Sequence, residues 1–144
     1  MKARPYLDLM KKQENELTNF PIAYAFDEKQ LAEALEKLGA ERSECVTVFG
    51  HGDIVKKEDA PKLVAMLKRH TKEVQEALAD EEFAEAAFLY EMDNHEYAIN
   101  WTGDEDVLAC FGLTEKKLDE MNLRGAYFRA RKSHMEHARE WDMI

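Results

Sequence analysis

From Asp59 and Pro61 onward, Leu63, Leu67, His70, Val74 and Leu78 recur at intervals of three or four residues. That spacing follows the 3.6-residue turn of an α-helix and predicts a long helix with all five side chains on one face. Such a stripe must be buried against another element, which commits the chain to packed helices. The same period recurs elsewhere. Residues 5–19 read as a helix through Leu7, Met10, Glu14 and Leu17, with Pro5 tolerated in the first turn. Asp27 is an N-cap with Gln30 as its capping-box partner, and Leu31, Leu35 and Leu38 lead to a stop at Gly39. Asp80 caps a helix buried through Phe83, Ala87, Phe88 and Met92, and TGDED opens a short helix ending at Gly112. A last helical region starts at Leu113 and Thr114. It sets Leu123, Tyr127, Ala130, His134, Ala138 and Trp141 on one side, with Phe128 also read as core-facing.

Strand signals are shorter. FPIAYAF (20–26) and CVTVF (45–49) are aromatic and β-branched runs, and YAINW (97–101) alternates Tyr97, Ile99 and Trp101. Gly50, His51, Gly52 and Asp53 read as a hairpin turn returning through Ile54 and Val55. The expected fold is α+β: a single domain over 1–144, with a small, mostly antiparallel sheet of about four strands covered by helices on one face. A chain of 144 residues buries roughly 68–70% of its unfolded surface and needs no covalent staple.

Charge separates along the chain. Ten carboxylates and no Lys or Arg lie between Asp80 and Asp106, which equals the whole net charge of −10. Arg124, Arg129, Arg131, Lys132 and Arg139 make the last helix basic. Opposed poles favour a protein partner or a homodimer, and the net charge disfavours nucleic acid. Trp141, Met143 and Ile144 offer an apolar end for self-association. No apolar run is long enough to cross a membrane, and the first residues lack a signal-peptide core, so a cytoplasmic location is expected. Cys45 and Cys110 stand alone in apolar contexts and read as buried reduced thiols.

Candidate chemistry centres on YEMDNHEY (90–97). Glu91 and His95 are four apart, so on a continuous helix they share a face and can chelate a metal. Glu96 is the candidate general base for a metal-activated water. Against this, Asn94 suits a left-handed helix end, and a histidine beside it serves as a cap. GHGD adds His51 and Asp53 as ligands if the turn folds toward Glu91 and His95. His134 and His137 are three apart, without the spacing of a zinc-protease helix, and read as positions on an amphipathic helix. No nucleophile motif, phosphate loop or dinucleotide fingerprint occurs.

Three stretches, FPIAYAFDEKQLAEAL, CVTVFGHGDIVKKED and AFLYEMDNHEYAINWTGDEDVLACFGLT, occur in that order over roughly residues 20–115. Together they resemble a family of small uncharacterised proteins from gut Firmicutes and related bacteria, often in phage or mobile-element settings. The resemblance implies one domain, a bacterial or phage origin and a cytoplasmic location, and it directs attention to Asn94, His95, Glu96 and Tyr97. It carries no activity. The leading expectation is therefore a small acidic interaction or accessory protein without catalysis and without a cofactor. The alternative is a divalent-metal-binding protein or metal-dependent hydrolase centred on Glu91 and His95.

Overall fold

A computed structural model describes residues 2–95 and 103–140. The described chain is mostly helical: α1 (Arg4–Asn19), α2 (Glu28–Leu38), α3 (Ala60–Ala77), α4 (Glu81–Asn94), α5 (Gly103–Ala109), α6 (Glu115–Glu120) and α7 (Arg124–Glu140). Three strands, β1 (Ala23–Tyr24), β2 (Cys45–Val46) and β3 (Asp53–Lys56), form an antiparallel sheet in the order β1-β3-β2. The α+β reading holds with three strands rather than about four, and the expected strand at 97–101 lies outside the described residues. The chain divides into two compact units, Met1–Met10 with Thr71–Ile144, and Lys11–His70.

In the Lys11–His70 unit, β3 alternates. Ile54 packs with Ala34 and Leu38 of α2, whereas Val55 is fully buried with Ile22 and with Leu63 of α3. Two-residue periodicity sends successive side chains to opposite faces, so both faces of the sheet are covered rather than one. The strands are shorter than their β-like composition predicts because side chains take the backbone donors. The Gln30 side chain accepts from Phe26 N–H at 2.8 Å. Asp53 accepts from the N–H groups of Val48 at 2.7 Å and Phe49 at 3.1 Å. The hairpin link is therefore the six residues 47–52, with Asp53 already in β3. Asp27 caps α2 by accepting from Gln30 N–H, and Gly39, at φ 64°, closes it.

In the other unit, α4 and α7 pack through fully buried alanines, Ala84 and Ala87 on one and Ala126 and Ala130 on the other. Small side chains let two helix backbones approach closely, and Phe88 fills the adjacent space edge-on against Phe111 and Tyr127. The last helical region is two helices, broken where Asn122 adopts φ 58°. Tyr127 is buried as expected. Phe128, one residue and about 100° further round the helix, is exposed instead of core-facing.

Candidate metal centre

Glu91 and His95 close the last turn of α4. The helix runs through Asn94, which is not left-handed; His95 is the cap at φ −95°, and its N–H returns to the Glu91 carbonyl. The two side chains face each other, with His95 Nε2 at 3.8 Å from Glu91 Oε1. A third group joins them from just beyond α5: Cys110 Sγ lies 3.4 Å from the same His95 Nε2. One donor atom from each of the three falls within 4.8 Å of the others. Glu91 is buried, Cys110 half-buried and His95 exposed, so the cluster sits at the rim of the core with one side open.

Tyr6, buried at the start of α1, completes the arrangement. Its hydroxyl donates to Glu91 Oε2 at 2.7 Å. One carboxylate oxygen is thereby fixed, and the other is left aimed at the imidazole. Burial, reinforced by the Glu91 carboxylate, pushes the Tyr6 hydroxyl well above the ordinary phenol range, so it remains a donor. The ring is held by Phe83, Tyr90 and Phe111, at 6.1, 6.0 and 5.5 Å between centroids.

Two chemistries use cysteine, histidine and glutamate together, and the geometry separates them. A thiol nucleophile needs the cysteine on one imidazole nitrogen and the orienting carboxylate on the other. Here both groups address Nε2. Burial and the Glu91 charge also push the Cys110 thiol up to about 11, so the sulfur stays protonated unless a cation is beside it. Donor atoms converging on one point is what a metal requires. Tetrahedral bonds of 2.0–2.3 Å place a nitrogen–oxygen pair about 3.3–3.4 Å apart and a nitrogen–sulfur pair about 3.5–3.6 Å apart, against the 3.8 and 3.4 Å found here.

His51 and Asp53 belong to the Lys11–His70 unit, and Glu96 lies outside the described residues. Asp53 is buried and holds its own loop, accepting from the Thr47 hydroxyl and from the N–H groups of Val48, Phe49 and His51. Burial opposes its ionisation, but these hydrogen bonds outweigh burial and bring its pKa down to about 2. His134 and His137 are tied to one carboxylate: Asp93 Oδ1 meets His134 Nδ1 at 2.7 Å, and Oδ2 meets His137 Nδ1 at 3.0 Å. With Arg129 against Glu85 at 2.8 Å and Glu81 at 3.8 Å, the basic helix spends part of its charge on the acidic one. The poles seen in sequence are partly each other's partners.

Cys110 and Tyr6 were not legible as site residues. They stand 19 residues after and 85 before Glu91, and neither belongs to a motif. The family of unknown function DUF7659 matches residues 5–133, a wider span than the 20–115 on which the resemblance was read. No curated protein and no solved structure matches the chain. No helix among the described residues is long and apolar enough to cross a membrane.

Proposed function

The chain belongs to DUF7659, a family of unknown function, and from the geometry of α4 and α5 we propose that it is a metal-binding protein holding a divalent transition metal. The observation that carries this reading is the convergence of Glu91 Oε1 and Cys110 Sγ on His95 Nε2. The donor set favours zinc, a borderline ion that takes carboxylate, imidazole and thiolate together. Hard ions such as magnesium and calcium prefer all-oxygen shells and have little use for a sulfur. Three protein ligands leave a fourth position for water or for a donor from a partner. In this reading the protein works in a bacterial or phage-associated cytoplasm, where thiols stay reduced and Cys110 is available as a ligand.

Tyr6 acts through Glu91 as a positioning residue of the kind that commonly orients metal ligands. Metal content measured by plasma mass spectrometry, on untagged protein purified without chelator, tests the proposal together with calorimetric zinc titration. One zinc per chain is expected, lost in His95→Ala and in Cys110→Ser. Zinc binding that survives both substitutions would refute the site.

A further inference from the structure

Among the described residues, three of the four exposed aromatic side chains, Tyr24, Phe26 and Phe49, lie in the Lys11–His70 unit. Phe26 is 76% exposed, yet it has a seat. Gly52 sits at φ 84°, and a Cβ built there would meet Phe26 Cε1 at 2.6 Å. The glycine makes room for the ring, and the loop below it is held by the Asp53 carboxylate. An exposed aromatic with a fixed backing loses little freedom when something lands on it.

Beside the ring runs an open groove of about 600 Å³. Phe26, Leu31 and Ile54 supply its apolar surface, Asp27, Glu28 and the loop-holding Asp53 its acidic residues, and no lysine or arginine lines it. Asp27 is engaged as the cap of α2. Glu28 has no cation within ion-pair distance among the described residues, unlike the carboxylates that α7 neutralises. An apolar surface beside a carboxylate that no side-chain cation neutralises suits a group with an aliphatic stem and a cationic head. A guanidinium can also lie over the exposed ring.

We propose that this groove docks an arginine- or lysine-bearing segment of a protein partner. Charge complementarity selects that occupant. A nucleic acid would bring phosphates toward Glu28, and an apolar peptide would leave the carboxylate unanswered. The surface is formed by residues other than the Glu91, His95 and Cys110 centre, so the two proposals stand or fall separately.

The test uses the full chain, labelled for amide NMR, with two capped hexapeptide probes. One alternates arginine and leucine, and the other replaces each arginine by neutral citrulline. The arginine probe should shift amides of Phe26, Glu28, Leu31 and Gly52 and leave those of α4 in place. Its affinity should fall about fivefold in Phe26→Ala and about two- to fivefold in Glu28→Gln. It should also fall as salt is raised from about 0.05 M to about 0.5 M. Both substituted side chains are solvent-facing, so both variants should fold. Equal responses to the two probes, no groove shifts, or shifts centred on α4 would overturn the proposal. So would groove shifts that follow protein concentration alone, which would assign the surface to a second copy.

Discussion

Tyr6 and Glu91 meet across 85 positions of sequence, and the proposed metal centre depends on that meeting. Tyr6→Phe removes the hydroxyl and keeps the ring packing. It is expected to weaken zinc binding about 10- to 100-fold with little change in fold, as read by competition with a chromophoric chelator; an unchanged affinity would deny Tyr6 its positioning role. Asp53 gives a residue-scale prediction of another kind. Its folded pKa, about 2, lies below its ordinary 3.8, so the stability it contributes is fully present above about pH 4. That contribution, on the order of 2 kcal/mol, is lost as the pH falls through about 2. Urea midpoints of wild type and Asp53→Asn should therefore differ most near neutrality and converge only below about pH 2. A gap that persists in acid would mean the carboxylate charge is not what holds the loop. Sequence reading offered Asp53 as a metal ligand only if its turn folded toward Glu91 and His95. Nothing in residue spacing shows that its oxygens are consumed by the N–H groups of its own loop.

At the scale of elements, helix ends were the most legible part of the chain. Asp27, Gly39, Asp80 and Thr114 act at the ends expected for them, because capping chemistry is local and needs no tertiary partner. Strand lengths were not legible. Whether Val48 and Phe49 donate to a ladder or to a carboxylate is decided by a side chain four or five residues away. The break before α7 was likewise hidden, since Asn122 at φ 58° leaves no interruption in the apolar period. The α4–α7 packing rests on alanines with no exposed surface, so Ala130→Leu should cost about 1–3 kcal/mol through overpacking. Ala65→Leu, on an exposed position of α3, should change stability by less than about 0.5 kcal/mol. Denaturant midpoints of the two variants check this, and equal losses would contradict close packing at Ala130.

For the whole molecule, the expectation of one domain becomes a statement about cooperativity. Residues of both α1 and α3 are counted in each compact unit, so unravelling either helix takes core from both. A single unfolding transition is expected. Phe88→Ala, costing about 3–5 kcal/mol, and Val55→Ala should both lower its one midpoint; two separated transitions would show that the units fold independently. The acidic and basic segments were visible in the sequence as opposed poles, but their mutual pairing was not, because only the fold brings Arg129 to Glu85. Cys110 escaped for the same reason: a lone cysteine in an apolar run reads as core until a histidine from another helix is placed beside it. The measurement that bears most directly on the metal proposal is a cobalt(II) titration followed by absorption. The account predicts a sulfur-to-cobalt charge-transfer band, with ligand-field bands of a low-coordinate site, reaching a plateau at one ion per chain and absent in Cys110→Ser. Cobalt that binds without the sulfur band, or a band that survives loss of Cys110, would contradict it.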